Sequence, residues 1–185
     1  KKLSGFKIDY AVSALFGHVI PKSLISTVQI DFINLHPSYL PIGRGAHPIP
    51  WSILNSDIQG ITIHKMAEAL DAGDIYIQKE LKSNLSMNAA DIYSLAMNNL
   101  VESFKNFLPL WISGDFVRIK QEESMATFHK AAELEQIRII SSGDISTAEK
   151  FVMRIQALNF GDSGSAIYLD KDGKKWSLRL RMEEL

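Results

Sequence analysis

Along its first third the chain carries apolar positions in short blocks parted by turn residues; beyond that they run in a longer helical stripe. The block 10–16 is almost continuously apolar and stops at Gly17, the pattern of a parallel strand buried on both faces. Residues 21–26 suit a short helix with Pro21 in its first turn, and 28–35 return to an apolar, β-branched run. Strand, helix, strand in that order predicts α/β architecture. Residues 37–50 then hold Pro37, Pro41, Pro48 and Pro50 with Gly43, Arg44 and Gly45, so no regular element is expected there. A loop this long and stiff reads as functional. Helical periodicity resumes over 51–54, 60–66 alternates like a strand, and 74–81 follows as another strand after a turn at Ala72 and Gly73.

From Asn88 the period becomes 3.6. Ile92, Leu95, Ala96, Leu100, Phe104, Phe107, Leu108 and Trp111 form one stripe, and Asn88 with Asp91 resembles a capping box, so a helix is expected to pack on the sheet. The polar stretch 121–124 marks a boundary between a core over 1–120 and a small appendage over 121–185. In that appendage 147–158 reads as an amphipathic helix, and 166–169 with 176–182 as a hairpin turning at 170–173. Trp176, Leu178 and Leu180 share one face of the second hairpin strand, which suits either a homodimer contact or packing on the helix 147–158.

Composition narrows the function classes. The 185 residues carry 20 basic and 21 acidic side chains, with no basic run longer than Lys174 and Lys175, so phosphate neutralisation by a nucleic-acid binder is not expected. The absence of cysteine excludes disulfide scaffolds, thiolate zinc sites and cysteine nucleophiles. No apolar stretch reaches the roughly 18 residues of a membrane span, and the first residues lack a signal-peptide core, which points to the cytoplasm. A chain opening at Lys1 straight into a strand pattern reads as one whose beginning is missing.

The chemistry-bearing residues follow the second strand. Asn34 and His36 stand two apart at its carboxyl end and therefore project from one face, at the edge where open α/β sheets bind ligands. Taken alone, the pair fits better a strand end satisfied by neighbouring backbone. A carboxylate would make it catalytic, and the Gly-containing turn at 70–74 offers Asp71 and Asp74. The ordered set Asn34-Leu35-His36-Pro37, Arg44-Gly45-Ala46, Gly60-Ile61-Thr62-Ile63-His64 and Leu70-Asp71-Ala72-Gly73-Asp74 resembles the folate-dependent formyltransferase family. The likeness extends back to Phe16-Gly17-His18-Val19-Ile20-Pro21 and covers about residues 6–81.

The resemblance implies a Rossmann-like, mostly parallel sheet, here without the family's Gly-containing first strand and loop, followed by a small C-terminal helix and β-hairpin. It implies Asn34, His36 and Asp71 as catalytic residues, with Asp74 outside the set and His64 close to the reacting centre, and Arg44 and Trp51 beside it on the substrate side. His18, Val19, Ile20, Phe32, Met66, Glu68 and Leu70 would surround the pterin of 10-formyltetrahydrofolate. Phe32 and Met66 fit an ordinary core as well, Glu68 a solvated turn, and His18 a loop histidine in water. Formyl transfer to an amine passes through a tetrahedral intermediate, whose oxyanion the Asn34 amide and a protonated His36 could meet while Asp71 takes the amine proton through water. No metal is required.

The amine acceptor is read from the remainder of the chain. A methionyl-tRNA enzyme would carry a basic C-terminal domain, yet residues 128–185 hold nine basic and nine acidic side chains. A glycinamide-ribonucleotide enzyme would end soon after the sheet. The Pro-rich loop, Ile49-Pro50-Trp51 and the short Thr127-Phe128-His129 segment resemble best the enzymes that formylate nucleotide-linked, dTDP-type amino sugars. A formyltransferase-like module that binds without catalysing is the non-enzyme alternative.

Overall fold

The computed structural model describes residues 7–141, 143–144, 147–161 and 164–183. Its main sheet contains β1 (Ile8–Ala14), β2 (Val28–His36), β4 (Gly60–Lys65) and β5 (Ile75–Glu80) in the order β1-β2-β4-β5. The sheet is mixed: β1 runs parallel to β2, reached through the short α1 (Lys22–Ile25), whereas β2/β4 and β4/β5 are antiparallel.

Period-two alternation divides the two faces of the central strands. Ile33 and Leu35 of β2, with Ile61 and Ile63 of β4, enter the apolar core and meet Ile92, Ala96, Leu100, Phe107 and Trp111 of α3 (Ala89–Ser113). Each of the Ile, Leu and Phe side chains among them stabilises the fold by about 1.5–3 kcal/mol on full burial. The alternate residues Asn34, His36, Thr62 and His64 face the other way and are still buried, beneath the chain that follows β2. One sheet thus carries a greasy face that anchors it and a polar face that is available for chemistry.

α3 begins as its sequence predicts: the Asn88 side chain accepts from the Ala90 and Asp91 amides, and Asp91 caps back onto the Asn88 amide. Leu108, read as part of the buried stripe, is instead 37% exposed and faces away from the core. β1 also departs from expectation. As the edge strand of this sheet among the described residues it leaves Val12 at 41% exposure, so its continuous apolar run does not reflect burial on both faces.

The Pro-rich stretch is more regular than its composition suggests. α2 (Pro48–Asn55) starts at Pro48, because prolines in a first turn lose amide donors that have no intrahelical acceptor in any case. Just before it, β3 (Arg44–Gly45) pairs in parallel with β6 (Phe128–His129).

A second, smaller core is formed by Leu134, Ile140, Ile155, Leu158 and Ala166, from α4 (Ala131–Gln136), β7 (Ile139–Ile140), α5 (Ala148–Leu158) and β8 (Ala166–Leu169). α4 and β7 had no forecast in the sequence. β8 and β9 (Lys175–Leu178) form the expected antiparallel hairpin, to which β7 adds a parallel edge. Leu178 and Leu180 pack on this small core, while Trp176 stays 54% exposed with its indole donating to Asp170. Ala90 donates to the Asn159 carbonyl at 3.1 Å and Gln156 to that of Leu85 at 3.2 Å, so the end of α5 is tied to the start of α3.

Candidate active site

Asn34 and His36 meet the acid of the 70–74 turn on the polar face of the sheet. Asn34 lies opposite His64 in the β2/β4 ladder, and its side-chain amide donates to His64 Nε2 at 3.2 Å and to Asp71 Oδ1 at 3.3 Å. His36 Nε2 lies 2.8 Å from the Gly43 carbonyl, which can only accept, so that nitrogen carries the proton. The opposite nitrogen, Nδ1, is left facing Asp71 Oδ1 at 3.9 Å. Asn34, His36 and Asp71 are each no more than 9% exposed.

Asp71 is held from several sides. Its backbone is left-handed at φ 53°, a conformation that Asp tolerates better than most residues. Its Oδ2 accepts the Gly45 amide at 2.9 Å, and its carbonyl accepts from Gln121. Gly45 cannot carry a side chain here: it sits at φ 87°, and a Cβ would lie 2.4 Å from the His129 carbonyl. The β4/β5 ladder shifts register at His64, a bulge that lies next to the turn carrying the acid.

His64 is fully buried and neutral. Burial is the largest influence on it, joined by repulsion from His36 and opposed by the Asp71 carboxylate, and its pKa falls from 6.5 to about 4. Its Nδ1 hydrogen goes to the Lys65 carbonyl at 2.9 Å, leaving Nε2 to accept from Asn34. His64 therefore lies behind Asn34 and fixes the direction of its amide.

Arg44 and Trp51, expected on the substrate side, are engaged within the protein. The Arg44 guanidinium forks onto both oxygens of Glu123, at 2.9 and 2.7 Å, and onto Gln121 Oε1. That bond holds the Glu123 carboxyl below its ordinary range. Trp51 stacks on His129 at 3.9 Å between ring centres, and His129 is paired with Glu133 at 2.9 Å.

Apart from Phe32, which lies on β2, the expected folate residues divide between two neighbouring loops. His18, Val19, Glu68 and Leu70 are exposed, whereas Phe32 is buried and its carbonyl accepts the Met66 amide at 2.7 Å. An ion pair of Lys22 with Glu68 at 2.7 Å links the start of α1, just after the first loop, to the second, and Ile20, partly buried, lies on the first loop. Among the described residues no cluster of three or more His, Asp or Glu could hold a metal ion, and no helix is long and apolar enough to cross a membrane.

Sequence reasoning missed the segment after α3. Thr127 accepts the Gly43 amide on its hydroxyl at 2.7 Å and the Arg44 amide on its carbonyl at 3.0 Å, and Ala46 donates to the His129 carbonyl at 2.9 Å. These bonds, with those of Gln121, fasten the loop that supports His36 and Asp71. The signal present was the Thr-Phe-His triplet, without any indication of what it touches.

Residues 1–96 match the formyl transferase family model. The methionyl-tRNA formyltransferase of Lactobacillus gasseri is 33% identical over 177 residues, covering 92% of this chain and 52% of the relative. The chain thus spans about half the length of the curated relatives it matches. A 4-N formyltransferase from Francisella tularensis superposes with a TM-score of 0.89 at 28% identity, over 96% of this chain and 72% of that one. A formyltransferase from Anoxybacillus kamchatkensis, solved with UDP-4,6-dideoxy-4-formamido-L-AltNAc and tetrahydrofolate, superposes with a TM-score of 0.69 at 26% identity, over 82% of this chain and 79% of that one.

Proposed function

The chain belongs to the formyl transferase family, and from that premise we propose that the complete protein moves a formyl group from 10-formyltetrahydrofolate to the amine of a nucleotide-linked amino deoxysugar, with dTDP as the expected nucleotide. The observation that carries the reading is the convergence of Asn34, His36 and Asp71 on one buried polar face, with Asp71 Oδ1 facing both partners. Two donors and one carboxylate are what acyl transfer to an amine needs, and no covalent intermediate on the protein is required.

The loops at 16–20 and 66–70 fit a flat, hydrogen-bonding ring with apolar cover. Val19 and Leu70 are exposed beside backbone groups of those loops, and the Lys22–Glu68 pair joins them. The donor, when bound there, supplies the formyl group. Asn34 then turns toward the oxyanion the hydrogen now given to Asp71, the longer of its two contacts, while His64 holds the other. His36 offers a hydrogen from Nδ1, because Nε2 is spent on Gly43. Asp71 accepts the amine proton as the new C–N bond forms, keeps its place through Gly45, and returns that proton to N10 of the donor as the C–N10 bond breaks and tetrahydrofolate leaves.

For the acceptor, the likeness to the Francisella 4-N formyltransferase continues through the small C-terminal unit, and that unit has no excess of basic side chains. Both features support an amino sugar nucleotide. The curated relatives favour a second acceptor, methionyl-tRNA. The test incubates the complete protein with 10-formyltetrahydrofolate and a panel of dTDP- and UDP-linked 3-amino and 4-amino deoxysugars, with charged initiator tRNA alongside. Formylated sugar and released tetrahydrofolate are expected. Turnover with the tRNA alone would replace the sugar by that acceptor, and no turnover with any amine would overturn formyl transfer.

A further inference from the structure

Gln121 lies 50 residues beyond Asp71, in a stretch whose polarity suggests only a linker, yet every hydrogen-bonding direction of its amide is in use. Its Nε2 donates to the carbonyls of Asp71 and Gly73, both at 2.7 Å. Its Oε1 accepts Nε and Nη2 of Arg44 at 3.0 and 2.8 Å. The orientation is chemically fixed. Carbonyls only accept and guanidinium only donates, so a flipped amide would set oxygen against two oxygens and hydrogens against a cation. Glu123 completes the chain of contacts by gripping Arg44.

We propose that Gln121 is a positioning residue for the reaction: by pinning the Asp71 and Gly73 carbonyls to Arg44 it holds Asp71 in its left-handed backbone conformation and so aims the carboxylate at Asn34 and His36. A non-glycine residue at φ 53° is disfavoured against the right-handed alternative and persists when its surroundings enforce it. Asp71 is pinned at both ends, its carbonyl by Gln121 and its carboxylate by the Gly45 amide. Loss of the first restraint lets the turn relax toward a commoner conformation, which swings the carboxylate off Gly45 and out of line with Asn34. The role assigned to Gln121 rests on the formyl-transfer reading; the geometry it maintains does not.

The test is Gln121→Glu in the complete protein. The replacement has the same shape and still accepts from Arg44, but it presents oxygen to both carbonyls. A fall in kcat of about tenfold or more is expected, with KM for donor and acceptor little changed, because the defect is misaim of a reacting group and not loss of binding. The backbone amide of Gly45 reports separately on where the carboxylate lies. Its proton resonance in Gln121→Glu should move toward the position it takes in Asp71→Asn, and Glu123→Gln should leave it near the parent value. Should Gln121→Glu not fold, Gln121→Met is read in the same way. An unmoved Gly45 resonance together with kcat within about twofold of the parent overturns the proposal. A parent protein without formyl transfer overturns the function reading, and the Gly45 resonance then decides the positioning role by itself.

Discussion

Asn34 donates to His64 Nε2 at 3.2 Å, and His64 can accept because its own hydrogen is committed to the Lys65 carbonyl on its other nitrogen. A cation at His64 would set two donors against each other at a fully buried position. The histidine nearest the Asn34 amide is therefore kept neutral by burial, with the repulsion of His36 in the same sense, while His36 keeps its Nδ1 turned toward the acid. Two adjacent imidazoles thus take different parts, set by what each backbone neighbour accepts.

This arrangement makes the fold acid-sensitive in a stated window. His64 titrates at about 4 when folded against 6.5 as a free side chain, so between those values the unfolded chain binds the extra proton. Stability is fully present above pH 6.5 and falls as pH drops toward 4, by about 3 kcal/mol from this group. His64→Gln should remove that component. Urea denaturation of both proteins across pH 4–7 checks it, and parallel pH profiles for parent and variant would remove His64 as the source.

The catalytic assignment predicts unequal effects around one turn. His36→Asn and Asp71→Asn should each lower kcat on the order of a hundredfold, the scale of a lost oxyanion donor or general base. Asp74→Asn should lower it far less, since the Asp74 group used in the fold is its carbonyl, which accepts the Lys65 amide at 2.8 Å. Steady-state rates with saturating donor and acceptor decide the order, and a greater loss at Asp74 would move the acid to that position.

How much of this the sequence disclosed depends on the range of each interaction. Asn34 and His36 were legible because strand periodicity puts them on one face, and Asn88 with Asp91 because a capping box is local. Asp71 emerged from the spacing of a whole family pattern. The side-chain contacts of Gln121, Thr127 and Glu123 did not emerge, since these partners lie 48 to 84 residues away and are mostly backbone groups, which leave no trace in residue identity. The exposed Val12 has the opposite cause: an apolar run records β propensity, and among the described residues no strand pairs with the outer side of β1. Arg44 was placed on the substrate side by the family resemblance, and its partner Glu123 was visible only as part of a polar stretch.

A buried carboxylate with no part in the chemistry gives a stability test. Asp31 accepts Tyr76 Oη and Trp111 Nε1 on Oδ2 and lies 3.7 Å from Lys65 Nζ, joining β2, β4, β5 and α3. Burial first, then the Asp31 carboxylate, holds the Tyr76 hydroxyl protonated far above its usual range. Asp31→Asn can still turn its oxygen to Tyr76 and Trp111, but its NH2 then faces the Phe32 amide, which Oδ1 accepts at 3.0 Å, and the Lys65 ammonium. A loss of about 1–3 kcal/mol in unfolding free energy is expected by urea titration, and Asp31→Asn with unchanged stability would mean that the network carries no net weight.

Two glycines separate steric need from backbone strain. At Gly73 an added Cβ would lie 1.8 Å from the Lys65 carbonyl oxygen, which is the atom that holds the His64 hydrogen. The backbone cannot yield there without breaking the Lys65–Asp74 rung, and the Gly73 carbonyl also serves Gln121. Gly114, which ends α3 at φ 79°, has open space around it, so alanine meets only the left-handed penalty of about 1 kcal/mol. Gly114→Ala should therefore lower thermal stability modestly and leave kcat at the parent level. Gly73→Ala should lower kcat strongly even under conditions where circular dichroism shows the protein folded, because the displaced carbonyl releases His64, Asn34 and the acid-bearing turn together. Equal losses of stability from the two substitutions, with kcat retained in both, would show that the turn tolerates a side chain at Gly73 and that the close approach to Lys65 is not what aligns the site.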